Sequence, residues 1–357
     1  MRLKSKSPLS GHGAQSNASS RFLQWQRTRD ESDPADIPAA VRPLRLREDS
    51  ARTIISYNDS PDIPFDRSIN IARGCAHGCI YCYARPTHAY LGLSPGLDFE
   101  TEIFIKRNAA ELLRAELSRP AYRPAPLALG ANTDPYQPYE RDLGLTRQVL
   151  EVLAEFRHPV MITTKGALIE RDIDLLAPMA ELDLVRVMVS IATLDAEIAR
   201  RMEPRAAPPA RRLDVIRALS AAGIPTGVIV APVVPALTDD AMEAVMAAAH
   251  EAGATVATYV FIRLPREVRD LFVEWLQANY PQRAAHVMSL IRQSRGGADN
   301  DSAFGRRMRG EGAFADLLRQ RFHVAARRLG YADDRGSAPT SALFRRPTPQ
   351  SGQGELF

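Results

Sequence analysis

The chain has 357 residues, 45% of them hydrophobic and 25% charged, which fits a soluble globular protein with a real core and excludes a low-complexity or fibrous chain. The formal net charge of +4 is too small to point to nucleic acid, a membrane surface or any other partner. The basic residues are almost all arginine, and Lys4, Lys6, Lys106 and Lys165 are the lysines, so Lys165 stands out within the folded region.

Residues 1 to about 60 are rich in Ser, Pro, Asp and Arg without a sustained period. They read as a disordered tail and then an extended segment that wraps the domain. The first twenty residues lack the apolar stretch of a secretory signal. The most apolar run, GVIVAPVVPAL at 227–237, is too short to span a bilayer and contains two prolines. A cytoplasmic location is expected.

From about residue 61 an alternation begins. Apolar, β-branched runs at Ser68–Ala72, Leu127–Gly130, Val160–Thr164, Leu184–Ile191, Thr226–Val230 and Val256–Ile262 read as six strands. Helix-period segments fall at 108–119, 143–156, 167–180, 208–222, 238–252 and 265–278. Thr238 precedes one of these as an N-cap candidate, and Gly223 and Gly253 sit where C-caps should fall. Strands alternating with helices predict an α/β fold with a parallel sheet, closed most simply as a partial (β/α)6 barrel over residues 61–282. A helical extension follows over 283–331, including a helix from about 313 to 329, and then a flexible tail over 332–357. In that tail Leu343-Phe344 and Leu356-Phe357 are candidates for docking on the surface.

All three cysteines, Cys75, Cys79 and Cys82, lie in the stretch RGCAHGCIYCYAR, directly after the first strand. An odd number at so tight a spacing does not make a disulfide framework and favours ligand or redox chemistry in a reducing compartment. In β/α barrels the loops at the C-terminal ends of strands carry the chemistry. Three thiolates on one loop can converge on a single soft metal centre: zinc, Cu(I) or an iron–sulfur cluster. Three are one short of the four that hold an electron-transfer [4Fe–4S] centre, so one iron would stay open. The alternative is a zinc site completed by His77 or His88. Zinc ligands usually come as two separated pairs, which this compact triplet lacks. Gly74 and Gly78 allow tight turning there, while Arg73 and Arg85 either offset cluster charge or are plain exposed arginines.

C-x3-C-x-φ-C, with Tyr81 as the aromatic, resembles the signature of the radical SAM superfamily. Over roughly residues 66–265 the resemblance implies the family's partial (β/α)6 barrel and a [4Fe–4S] cluster on Cys75, Cys79 and Cys82. Its open iron would bind S-adenosylmethionine, whose reductive cleavage gives a 5′-deoxyadenosyl radical that abstracts hydrogen from a substrate. It also implies an external electron donor of the flavodoxin or ferredoxin type. The segment GANTDPYQPYE, 130–140, is most similar to that of the spore photoproduct lyase subgroup. On that likeness Thr133 and Asp134 contact the methionine moiety, Lys165 pairs with its carboxylate, and Ser190 contacts the ribose or carboxylate. Local readings stand beside these: an Asx turn for Asp134, a solvated rim for Lys165, a backbone-bonded serine for Ser190. Ala231-Pro232 would pack on the adenine or in the core, and Arg263 is a candidate for cofactor or substrate.

The subgroup's hydrogen-donor cysteine would fall at Ala131, so that lyase's route is closed to this chain. Tyr83, Tyr136, Tyr139 or the substrate itself would have to serve. The second functional class is a non-enzymatic, metal- or cluster-bearing nucleic-acid-binding protein, using arginines between Arg306 and Arg328. The Gly-rich stretch 295–312 would otherwise fold over the barrel's open end. The sequence names no substrate and no oligomeric state.

Overall fold

The computed structural model describes residues 11–23, 42–332 and 338–347. Among them ten strands form two sheets: β1 (Arg45–Glu48), β2 (Ile55–Tyr57), β3 (Arg67–Ile69), β4 (Ala72–Arg73), β5 (Glu102–Ile105), β6 (Leu127–Leu129), β7 (Val160–Thr164), β8 (Val185–Ser190), β9 (Thr226–Val233) and β10 (Val256–Phe261). The larger sheet runs β10-β9-β8-β7-β6-β3-β2. Its six strands from β3 to β10 are parallel and in chain order, and β2 adds an antiparallel edge. Sequential parallel strands require right-handed crossovers, and the intervening helices supply them. β2 and β10 do not pair, so the barrel is partial and open.

β7 and β8 alternate fully buried with half-buried residues along most of their length. That pattern suits a sheet curling round a space rather than one packed solidly on both faces. The predicted helices form at Ala109–Ser118, Leu145–Glu155, Ile173–Glu181, Pro209–Ala221, Met242–Glu251, Glu267–Asn279 and Gly312–Leu329. Gly223 and Gly253 follow their helices with φ of +74° and +104°, as a left-handed C-terminal stop requires. Thr238 does not cap with its side chain. Its hydroxyl donates to the Pro232 carbonyl and accepts from the Val234 amide, tightening the turn after β9.

The run Ser68–Ala72 divides between two sheets. β3 belongs to the barrel, while β4 pairs with β5 in a small sheet of order β1-β5-β4. Ala231-Pro232 lie inside β9, which runs to Val233 rather than ending at 230.

Part of the first 60 residues is built into the core. Ala14 is fully buried, and the Ser20 hydroxyl donates to the Ala89 carbonyl. Residues 295–311 connect the two margins of the open sheet. The Phe261 amide donates to the Met308 carbonyl, and the Gly305 amide donates to Asp62, in the turn between β2 and β3. Near the C-terminus Phe344 packs among Tyr122, Phe156 and His158 while Leu343 stays exposed; Leu356-Phe357 lie outside the described residues. No described helix is long and apolar enough to cross a membrane.

Candidate functional site

The cysteine loop runs from Gly74 to Ala84 at the C-terminal end of the parallel strands. Gly74 and Gly78 have φ of +86° and +69°, and a Cβ on Gly74 would meet Ile103 at 2.8 Å and the Phe99 carbonyl at 2.9 Å. Turn hydrogen bonds run from the Gly78 amide to the Cys75 carbonyl and from the Cys82 amide to the Cys79 carbonyl. These bonds alone would leave a floppy loop, so its shape comes from elsewhere in the chain.

Four elements pin it. The Cys75 amide donates to Phe99 O at 3.1 Å, and the Ile80 amide to Met202 O at 3.0 Å. Fully buried Gln137 accepts from the Ala76 amide at 2.6 Å and donates to Thr133 Oγ1 at 2.8 Å. The Thr133 hydroxyl donates in turn to Gly74 O at 2.6 Å. The Arg85 side chain, 0% exposed, donates to Cys79 O and Gly78 O at 2.9 Å each and to Glu100 at 2.6 Å. Arg85 is thus a buried staple, neither an exposed arginine nor a free counter-charge. Arg73 is exposed and pairs with Asp49.

Glu100 is the hub behind the loop. It accepts from Arg85, from Arg205 at 2.9 Å, from the Ala14 amide at 2.8 Å and from His12 at 3.3 Å. Burial acts to raise its pKa, but Arg85, His12 and Arg205 outweigh it and hold the carboxyl at about 2. Gly13 passes so close to the loop that a Cβ there would stand 1.9 Å from Gly78 O.

Cys75 and Cys79 are buried and Cys82 is half-buried. Burial raises all three thiols, to about 12 for Cys79, where Lys165 opposes the rise. Thiols so placed are neutral until a metal displaces their protons. Among the described residues no three His, Cys, Asp or Glu side chains close round a single ion. Of the two proposed zinc histidines, His88 bonds Glu102 O through Nε2 at 2.9 Å, while His77 Nδ1 lies 3.4 Å from Asp134 without a hydrogen bond.

The other predicted residues gather beside the loop. The Tyr81 hydroxyl donates to Glu203, and Lys165 Nζ lies 5.8 Å from the Tyr81 ring centroid. No described carboxylate lies within ion-pair distance of Lys165 Nζ, although Cys79 and Glu203 are near enough to raise its pKa against the lowering effect of burial. Asp134 accepts from the Tyr136 amide at 2.9 Å, Thr164 Oγ1 at 2.7 Å and the Lys165 amide at 2.8 Å. The Asx-turn reading therefore holds, and the same carboxylate bridges β6 to β7. Burial would raise its pKa, but His77 and these donors hold it well below the usual range. Ser190 is buried and its hydroxyl donates to Ala231 O at 3.3 Å, the backbone-bonded arrangement.

Glu203 and Arg212, which the sequence reading missed, form a buried ion pair beyond Tyr81; Arg212 also donates to Ser190 O at 2.8 Å. The stretch MEPRAAPPARR offered no period or spacing to reveal them. Of the three tyrosines considered as hydrogen donors, Tyr136 and Tyr139 are 2% and 6% exposed, whereas Tyr83 is 45% exposed and donates to Ala131 O. The arginines read as a phosphate-binding surface are partly neutralised: Arg306 pairs with Asp301, Arg307 with Asp62, Arg319 with Asp316 and Arg321 with Glu243.

An open, sequential six-stranded α/β barrel with a three-cysteine loop after its first strand defines a class. The family model described as "Radical SAM superfamily" matches residues 69–249, and the chain belongs to that superfamily. It is 41% identical over 233 residues to an uncharacterized protein of Mycobacterium tuberculosis strain H37Rv, covering 65% of this chain and 68% of that one. An uncharacterized protein of Methanocaldococcus jannaschii is 25% identical over 214 residues, 60% of this chain and 76% of its own. Among solved structures the fold resembles spore photoproduct lyase complexed with dinucleoside spore photoproduct. The TM-score is 0.55 at 17% identity, covering 80% of this chain and 79% of that one. Superfamily membership supports an enzyme.

Proposed function

We propose that the protein is a radical SAM enzyme whose Cys75, Cys79 and Cys82 hold a [4Fe–4S] cluster and whose neighbouring strand ends hold S-adenosylmethionine. One arrangement supports this above all: three thiols, two buried and one half-buried, on a loop pinned from four directions, beside a Lys165 ammonium with no described carboxylate partner. The donor set fits the cluster, since soft thiolates take iron–sulfur centres and the nearby Lys165 ammonium offsets negative charge. When bound, the pair supplies one-electron cleavage of the sulfonium and hydrogen abstraction from a substrate.

The chain's own residues then have distinct parts. Lys165 pairs with the cofactor carboxylate. Asp134 sets the Lys165 backbone, and the remaining capacity of its Oδ2 serves the methionyl amine. Thr133 acts by position, because its proton is spent on Gly74 O. Ser190 borders the cofactor through the backbone that Arg212 holds. Tyr81 is fixed by Glu203 as a wall beside Lys165. Tyr83, at the mouth, is the tyrosine placed to meet a substrate radical. The electron would come from an external donor of the flavodoxin or ferredoxin type.

The test is EPR of anaerobically reconstituted, reduced protein with and without S-adenosylmethionine, alongside an assay for 5′-deoxyadenosine. A cofactor-dependent spectral change with product is expected, and C75A, C79A and C82A should each abolish both. A zinc-loaded, EPR-silent protein that forms no deoxyadenosine would overturn the reading.

A further inference from the structure

Arg263 follows β10 at the C-terminal end of the barrel. Its guanidinium carbon lies 5.2 Å from the centroid of the Tyr83 ring, directly beyond Cys82 in the chain. The side chain is partly withdrawn from solvent, yet no described carboxylate lies within ion-pair distance of it. Its one hydrogen-bond contact among the described residues is a weak one, Nη1 to Met308 Sδ at 3.8 Å.

Other buried arginines of the fold are satisfied differently. Arg85 and Arg212 each meet a carboxylate and backbone carbonyls. Arg295, 3% exposed, donates to the carbonyls of Ile262, Arg306 and Arg307, leaving only its Nε without a partner. Arg307, which adds to the positive field at Arg263, is itself closed on Asp62. A guanidinium has five donors and no acceptor, so a ring face and a thioether leave most of its capacity unused. The cation–π contact is worth about 0.5–2 kcal/mol, and the remaining guanidinium donors are not buried, so they stand open to an incoming acceptor. A half-buried arginine with most of its donors free at the barrel mouth is open to a partner from outside the chain.

We propose that Arg263 binds an oxyanion, a carboxylate or phosphate carried by the substrate, and holds it against Tyr83 at the barrel mouth. This deepens the proposed function, because it gives the unnamed substrate a negative group. The planar fork suits two parallel hydrogen bonds to either anion.

The test uses the full chain, anaerobically reconstituted, as wild type, R263M, R263Q and R263K. Thermal midpoints are read in chloride, inorganic phosphate and acetate at constant ionic strength. In chloride, R263M and R263Q should melt within about 4 °C of the wild type or above it, since Arg263 makes no ion pair and only one weak hydrogen bond. A fall of more than about 4 °C in both would make the arginine structural and overturn the proposal. Phosphate, acetate or both should raise the wild-type midpoint by about 2 °C or more, should leave R263M and R263Q unmoved, and should raise R263K by less. A response to phosphate alone marks a phosphoryl substrate; an equal response to acetate marks a carboxylate. Equal responses in wild type and R263M refute the site. S-adenosylmethionine affinity is measured in parallel. A tenfold loss in R263M would reassign the arginine to the cofactor and refute the substrate role. A wild-type chain that binds no S-adenosylmethionine would bring down the proposed function instead and leave the anion result to stand or fall separately.

Discussion

Removing the charge of Glu100 tests whether the cysteine loop is built from behind. In E100Q one carboxylate oxygen becomes an amide nitrogen facing donors. Either Arg85 and the Ala14 amide or Arg205 and His12 then lose their acceptor. Breaking a buried ion pair on one side typically costs about 3–5 kcal/mol. Linkage gives a similar figure. The carboxyl sits at about 2 when folded, against 4.5 ordinarily, which at about 1.36 kcal/mol per unit is about 3 kcal/mol at neutral pH. The sign follows from the depressed folded value. The stabilisation is whole above the unfolded pKa and is lost as pH falls toward the folded one. The gap between wild type and E100Q should therefore be about 3 kcal/mol at pH 7 and shrink to about 1.4 kcal/mol at pH 3. Urea unfolding of the cluster-free protein, followed by circular dichroism at both pH values, measures it. A gap below about 1 kcal/mol at pH 7, or one that does not change with pH, would refute the reasoning.

Two other substitutions probe the same architecture. G13A places a methyl 1.9 Å from Gly78 O and 3.1 Å from Ile80 N, both backbone, so residues 11–23 should lift. Limited proteolysis should then cut this segment faster than in the wild type; equal rates would show that the close approach is not needed. K165M should weaken S-adenosylmethionine binding about tenfold or more, the worth of one charge-assisted hydrogen bond. Iron content should stay at the wild-type level, and unchanged affinity by titration would remove Lys165 from the cofactor site.

The barrel was legible because its signals are local. Val160–Thr164 is β-branched and apolar, and the helix after it shows its period within a dozen residues. The cysteine spacing was legible for the same reason, as were the polar residues at the ends of β6 and β7. What escaped was whatever depends on distant partners. β4 has two residues and exists because β5 lies beside it. Arg85 read as one arginine among many, since nothing near it announces Glu100. Residues 11–20 have no period because they take their shape from the loop they cover. Thr133 and Asp134 could be picked out from the strand end they follow, but the hydrogen bonds that tie them to Gly74 and Lys165 are long-range and invisible in the local pattern.

The spread of the loop's anchors bears on how the protein is made. Cys75, Cys79 and Cys82 leave the ribosome well before Met202, Glu203 and Arg205, which hold Ile80, Tyr81 and Ala76 in place. At roughly 5–20 residues per second, about 120 residues of further synthesis leave the thiols on an unfinished site for several seconds or more. During that interval they are exposed to oxidants and to mispairing, and also open to a donor of iron and sulfide. Once residues 203–212 arrive and pack on the loop, Cys75 and Cys79 are buried and Cys82 is half-buried. Under the proposed function, the order of synthesis sets a window for cofactor delivery, wide before the fourth crossover helix and narrow after it.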